Sequence, residues 1–435
     1  MRETIVPQGP TPGLRVLPPG MAGVLRRSVR RAVLSNLEKL EHGTIILEEN
    51  GEKQRFGRGG LQAGIKVENP KFYADLAFGG SIGAAEAYMS GFWSAEDLTT
   101  LVRIIVRNRS VLAGMEGGFA VVTRPIHALL HRLRKNTRSG SRRNIAAHYD
   151  LGNDFYRLWL DRGMTYSCNI FDREDATLED AATAKYERIC RKLALGPGRH
   201  LLEIGTGWGG FAIHAAKYHG FTVTTTTISR QQHDYAEERI REEGLGDKIR
   251  LLMEDYRNLK GSFDALVSIE MIEAVGHHFL DTYFRACSRL LREDGLMALQ
   301  AIIINDQAYE AQLRSPDFIK RYIFPGSFLP SISAITKSVA RATDMRLHDL
   351  EDITPHYPPT LRAWRERFIA KVDAVRALGH PESFIRLWEY YLCYCEGAFL
   401  ERYIGDVQMI FTKPGWRGQT VPPVRDPCGF HGLGR

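Results

Sequence analysis

The run Leu201-Leu202-Glu203-Ile204-Gly205-Thr206-Gly207-Trp208-Gly209-Gly210 leads a short apolar stretch into a glycine-rich turn, and helical periodicity begins near Phe211. Glycines at such a turn let a ligand approach the backbone more closely than a Cβ would allow. Gly205, Gly207 and Gly210 also satisfy the G-x-G-x-x-G spacing of a dinucleotide site. The next strand, however, ends in Thr224-Thr225-Thr226-Thr227-Ile228-Ser229, with no acid for a ribose diol, which argues against a nicotinamide cofactor. Glu203 at the entrance to the turn and the polar Gln232 suit a nucleoside that carries an amino-acid tail. That describes S-adenosylmethionine, whose chemistry is methyl transfer.

The elements that position this loop can be read from the pattern around it. From Ala184 onward, helical stretches alternate with the apolar runs Leu201–Ile204, Thr222–Thr224, Ile249–Leu252, Ala265–Ser268 and Leu296–Ile304. Strand, helix, strand in succession predicts an α/β fold with a mostly parallel sheet. Upstream, Thr44–Glu48 and Gly64–Val67 read as strands, with a turn at Glu49-Asn50-Gly51. Helical periodicity follows in Ser81–Met89 and Leu98–Val111, giving a small α/β module ahead of the main domain. The expected division is a basic N-terminal segment (1–37), the small module (38–125), a basic linker (126–144), the main domain (145–415) and a flexible tail (416–435).

The 435 residues suit two or three domains, and 44% hydrophobic with 25% charged residues is a globular composition. No apolar run approaches the roughly 20 residues of a bilayer span, and Met1–Gly20 lacks the apolar core of a secretory signal. A cytoplasmic location is expected. Six cysteines in so long a chain fit a reducing compartment. The net charge of +7 is concentrated in two places. Arg26, Arg27, Arg30 and Arg31 lie mostly off an apolar stripe of Met21, Leu25, Val29, Val33 and Leu37, the pattern of a basic amphipathic helix on a membrane surface or of an ordinary packed helix. Arg132 to Arg143 carries six cations and no acid. Neither stretch interleaves aromatics with its cations, so nucleic acid is not expected as a partner.

Ala147-His148-Tyr149-Asp150-Leu151-Gly152-Asn153-Asp154-Phe155, Met164-Thr165-Tyr166-Ser167-Cys168 and the Glu203–Gly210 loop resemble the cyclopropane fatty acid synthase family of S-adenosylmethionine-dependent methyltransferases. Asp255-Tyr256-Arg257, Ile272-Glu273-Ala274-Val275-Gly276, Tyr322–Gly326, Leu329-Pro330-Ser331 and Ala398-Phe399 extend the resemblance over most of the chain, and Gly79–Met89 with Gly91-Phe92-Trp93 looks like the N-terminal module of the phospholipid-acting members. The resemblance implies a Rossmann-like class I methyltransferase with a small lipid-contacting N-terminal module. It places Tyr149, Tyr166 and Ser167 near the cofactor, Gly205 and Gly207 under its methionine part, Gln232 at the ribose, and Asp255 with Tyr256 at the adenine. Glu203 and Thr227 complete the expected cofactor set.

The implied reaction is attack by the π-bond of a cis-unsaturated acyl chain on the sulfonium methyl. It needs a dry pocket, electron-rich walls for a carbocation and a base. The resemblance implies bicarbonate as that base, held by the Ile302 amide and by Cys168, Glu273 and Tyr357. This chain departs from the family at two positions: Gln300 replaces a histidine of the bicarbonate shell, and Ala274 follows Glu273 where a second histidine is common. Gln300 can still donate a hydrogen bond but cannot titrate. Cys168 is not expected to act as a nucleophile, and His277 and His278 are expected at the surface. Loss of a proton from the added methyl closes a cyclopropane ring; loss from the chain leaves a methylene or methyl-branched product, the second reading. A third reading, from another class, is a peripheral lipid-binding protein without catalysis. The expected partners are an unsaturated phospholipid and the inner face of the membrane, with dimerisation through the N-terminal module by family analogy.

Overall fold

The computed structural model describes residues 19–109, 151–315 and 317–418, with side chains from residue 26 onward. Tyr149 and the Arg132 to Arg143 stretch lie outside the described residues. The chain forms two units, one of Met1–Leu133, Ser315–Ile323 and Ile369–Tyr403, the other of Arg134–Arg314, Phe324–Phe368 and Ile404–Arg435. Residues 315–323 and 369–403, read from sequence as parts of the main domain, therefore group with the N-terminal residues.

The first unit begins with α1 (Pro19–Leu37), β1 (Gly43–Glu49), β2 (Glu52–Arg58), β3 (Gln62–Val67), α2 (Lys71–Met89), β4 (Trp93–Ala95) and α3 (Leu98–Arg107), and its sheet runs β2-β1-β3-β4. Asn50 (φ 53°) and Gly51 (φ 83°) supply the two left-handed residues of the tight turn between β1 and β2. In α1, Val29 and Val33 are buried and the helix packs on α2, so these two stripe positions are spent inside the protein and not on a lipid surface. Arg26, Arg27 and Arg31 remain exposed.

The second unit is built from α4 (Asn153–Arg157), α5 (Leu178–Leu193), β5 (His200–Ile204), α6 (Gly210–Tyr218), β6 (Thr222–Thr226), α7 (Arg230–Glu242), β7 (Ile249–Leu252), β8 (Phe263–Ile269), α8 (Leu280–Leu290), β9 (Leu291–Ile304), α9 (Asp306–Arg314), α10 (Ile332–Ala342), β10 (Arg346–Asp352) and α11 (Tyr357–Ala370). The chain then returns to the first unit as α12 (Val372–Ala377) and α13 (Glu382–Leu400) before β11 (Ile404–Thr412) re-enters the second. The seven-stranded sheet has the order β10-β11-β9-β8-β5-β6-β7. β7, β6, β5, β8 and β9 are parallel, while β11 runs antiparallel to β9 and to β10. This is the mostly parallel α/β sheet of a Rossmann-like fold.

Helices cover both faces of that sheet. Leu202, Leu266, Phe284 and Met297 belong to one core cluster, and Leu201, Phe211, Val223 and Ala265 to the other. Burial of each large apolar side chain contributes about 1.5–3 kcal/mol. Thr177 and Asp180 form a reciprocal capping box that starts α5. In such a sheet, ligands bind outside the carboxyl ends of the parallel strands.

Candidate active site

The glycine loop leaves the carboxyl end of β5 with Gly205, Gly207 and Gly209 at φ 102°, 53° and 86°. The amides of Gly205 and Thr206 both donate to the Thr226 carbonyl, which ties the loop to β6. A Cβ built on Gly207 would meet nothing within 4 Å, so the loop faces open space. Glu203, 2% exposed, accepts a hydrogen bond from the Thr225 hydroxyl at 2.6 Å, and burial pushes its carboxyl up to about 8. An open glycine turn with an acid buried at its root fits a nucleoside with an aminoacyl tail.

Thr227 and Gln232 are both buried and joined by a 3.0 Å hydrogen bond from the threonine hydroxyl to the glutamine Oε1. Past β7, both carboxylate oxygens of Asp255 accept from Arg257, at 2.8 Å from Nε and 2.6 Å from Nη2. The Tyr256 ring packs edge-on against Tyr283 at 5.5 Å. Ser167 accepts a 2.6 Å hydrogen bond from Lys185 Nζ, and burial lowers that ammonium to about 8. Tyr166 lies in an aromatic cluster, with its ring 5.5 Å from those of Tyr156 and Trp159, 5.4 Å from Trp364 and 6.2 Å from Phe324. Trp364 in turn lies 6.4 Å from Tyr357. Tyr156, Trp159 and Trp364 are buried, while Tyr166 and Phe324 are half-buried; aromatic rings of this kind attract a cation to their faces.

The five residues expected around bicarbonate converge, but on side chains of the protein. Ile302 N donates to Glu273 Oε1 at 2.6 Å. Tyr357 donates its hydroxyl proton to Glu270 Oε2 at 2.6 Å, while Cys168 N and Gln300 Nε2 donate to Glu270 Oε1 at 2.7 and 2.8 Å. The Gln300 amide also reaches the Cys168 carbonyl and Asp406 Oδ2, and its Oε1 accepts from Gln408. Glu270 takes a left-handed backbone, φ 47°, at a cost on the order of 1–2 kcal/mol for a residue with a Cβ.

The electrostatics separate the three acids. Burial, and then the Glu270 charge, push Glu273 up to about 8. Burial and the same neighbour push Asp406, wholly inaccessible on β11, well above the carboxylate range. Glu273 Oε2 and Asp406 Oδ1 are buried without a hydrogen-bond partner. Burial also drives the Cys168 thiol well up, which suits its expected non-nucleophilic role. His278 is exposed and His277 half-buried. Sequence reasoning missed Glu270, Asp406 and Lys185. The available signal for Glu270 was a second carboxylate three residues before Glu273, directly after β8.

Residues 136–409 match the family model described as mycolic acid cyclopropane synthetase. The chain belongs to this family. It is 38% identical over 354 residues to tuberculostearic acid methyltransferase UfaA1 of Mycobacterium tuberculosis, covering 77% of this chain and 80% of that one. Against the cyclopropane-fatty-acyl-phospholipid synthase of Escherichia coli it is 36% identical over 357 residues, covering 82% and 89%. The structure of mycolic acid cyclopropane synthase CmaA1 complexed with SAH and CTAB superposes with a TM-score of 0.59 at 31% identity, over 62% of this chain and 98% of that one. This member of the cyclopropane synthetase family is thus an S-adenosylmethionine-dependent methyltransferase of class I fold, which carries out cyclopropane or methyl transfer on lipid acyl chains.

The bicarbonate expected from the family does not fit this arrangement. Tyr357, Gln300 and the Ile302 amide, three donors of its expected shell, already hydrogen-bond to Glu270 and Glu273.

Proposed function

We propose that the enzyme adds a one-carbon unit to the cis double bond of an unsaturated acyl chain in a membrane phospholipid and closes a cyclopropane ring. The observation that carries this reading is the meeting of an aromatic cluster with a carboxylate cluster through Tyr357, whose ring neighbours Trp364 and whose hydroxyl binds Glu270. Bound S-adenosylmethionine supplies a methyl group activated by positive sulfur. Glu203, Gly205, Gly207, Thr227, Gln232, Asp255 and Tyr256 would hold it, with Tyr166 and Ser167 beside its reactive end. Tyr166 and Trp364 would then stabilise positive charge on the acyl chain through their ring faces. Tyr166 is half-buried and Trp364 buried, a setting that keeps water from capturing that charge.

Supply of the acyl chain requires contact with a lipid surface. The first unit carries a groove lined by Arg26, Arg27, Arg30, Tyr73 and Phe78, which suits an anionic headgroup beside apolar surface. No helix among the described residues is long and apolar enough to cross a membrane. Peripheral attachment to the inner membrane face is the corresponding proposal.

The second reading, a methylene or methyl-branched product, is favoured by Gln300, which replaces a titratable residue beside the carboxylates with a fixed amide. Fatty acids from cells expressing the wild type and Glu273→Ala, analysed by gas chromatography with mass spectrometry, separate the outcomes. A gain of one CH2 with the double bond consumed and a ring retained, absent in the variant, supports the proposal. A gain that keeps unsaturation or gives a branched chain moves the assignment to the second reading, and no gain leaves the lipid-binding reading.

A further inference from the structure

Ring closure leaves one requirement unassigned, an acceptor for the departing proton. We infer that Glu270 is that acceptor, a carboxylate built into the chain in place of a freely exchanging anion. The inference deepens the proposed function and rests on it.

Geometry singles out Glu270 among the three acids. Donors from three separate segments, Cys168 N, Gln300 Nε2 and the Tyr357 hydroxyl, converge on its two oxygens at 2.7, 2.8 and 2.6 Å. Of the three acids, Glu270 is the one joined to Tyr357, and through the Trp364 ring to Tyr166. Asp406 is wholly inaccessible, and Glu273 is bound to the Ile302 amide with its other oxygen buried. Burial and the Glu270 charge push both Glu273 and Asp406 upward, which disfavours them as competing anions. Gln300 cannot accept the proton itself. It is a positioning residue that fixes the Glu270 carboxylate and is fixed in turn by Gln408.

The step balances without a redox partner. The alkene π pair forms a bond to the methyl carbon while the carbon–sulfur bond breaks, its electron pair staying on sulfur, and a cationic carbon remains on the acyl chain. A C–H bond of the added carbon then breaks. Its electron pair closes the three-membered ring, and the proton passes to a Glu270 oxygen.

The test uses the full-length protein with S-adenosylmethionine and vesicles of dioleoyl phosphatidylglycerol, in buffer stripped of carbon dioxide and then supplemented with bicarbonate. Wild-type product formation is expected to be indifferent to bicarbonate. Glu270→Gln should lower kcat by about 10²-fold or more with S-adenosylmethionine affinity unchanged, the size expected for loss of a general base. Glu270→Gly, which relieves the left-handed backbone and frees the three donors, should regain at least roughly tenfold activity with bicarbonate. A second readout needs no turnover: 13C-bicarbonate NMR should show binding to Glu270→Gly and none to the wild type. A wild type that binds bicarbonate or loses activity without it, or a Glu270→Gln variant that keeps its rate, overturns the inference. A wild type that makes no one-carbon product under any condition sinks the proposed function instead, and the NMR comparison then still decides whether Glu270 occupies the anion's place.

Discussion

Glu203 shows how a buried acid makes stability depend on pH. Its ordinary value is 4.5 and its folded value about 8, so across that window the native state holds a proton that the unfolded chain has released. Stability must then fall as pH rises through it, by at most roughly 2–3 kcal/mol between pH 6 and 8 for this one group. Glu273 acts in the same direction. Lys185, lowered to about 8 from 10.5, acts in a later window, where stability recovers as pH rises toward 10.5. Thermal melts of the protein without ligand at pH 6 and 8 are expected to show the higher midpoint at pH 6, with a smaller difference in Glu203→Gln. An equal difference in the variant would mean that Glu203 is already ionised at pH 6. For Glu270 the residues offered only its spacing from Glu273 and its place after β8, not the partners that hold it. Its partners Cys168 and Tyr357 are 102 and 87 positions away, and only the packed sheet brings them to one carboxylate. Glu273 was legible because a motif carried it; Asp406 sits in a strand that gives no local hint of an acid network.

The elements were far more legible than the network they hold. The expected Ile249–Leu252 is β7, and Leu201–Ile204 lies within β5, because short apolar runs between helices have few other solutions in an α/β chain. The Asn50-Gly51 turn was equally clear, since few residue pairs tolerate two left-handed conformations in succession. Less visible was α2, which runs through Gly79-Gly80 with a break at Gly80 and starts ten residues before the helical pattern became readable. At the glycine loop, backbone freedom and ligand space can be separated by experiment. Gly207→Ala is expected to cost about 1 kcal/mol of stability from its left-handed backbone, because the new methyl meets no protein atom within 4 Å. By isothermal titration calorimetry it should nevertheless weaken S-adenosylmethionine binding tenfold or more, roughly 1.4 kcal/mol. Unchanged affinity would move the cofactor away from this loop.

Across the whole molecule, the basic face of the first unit supplies a third test. Because Val29 and Val33 are buried, a contribution of α1 to lipid binding rests chiefly on charge from Arg26, Arg27 and Arg31. The triple change of these residues to Glu should weaken sedimentation with anionic vesicles and flatten its salt dependence, at about 1 kcal/mol per charge at low salt. Binding that is unchanged would assign the contact to other surface. A different consequence follows from α13. It donates from Arg386 to the Trp93 carbonyl, and its Glu389 and Glu396 accept from Tyr88 and Thr99, so the first unit is closed by residues encoded near the far end of the chain. On the ribosome, α2 and α3 emerge long before this partner and must wait with their apolar faces uncovered until nearly 300 further residues have been made. Vectorial synthesis thus denies the N-terminal module an early independent fold, and a nascent chain arrested anywhere before residue 382 presents that uncovered surface to chaperones.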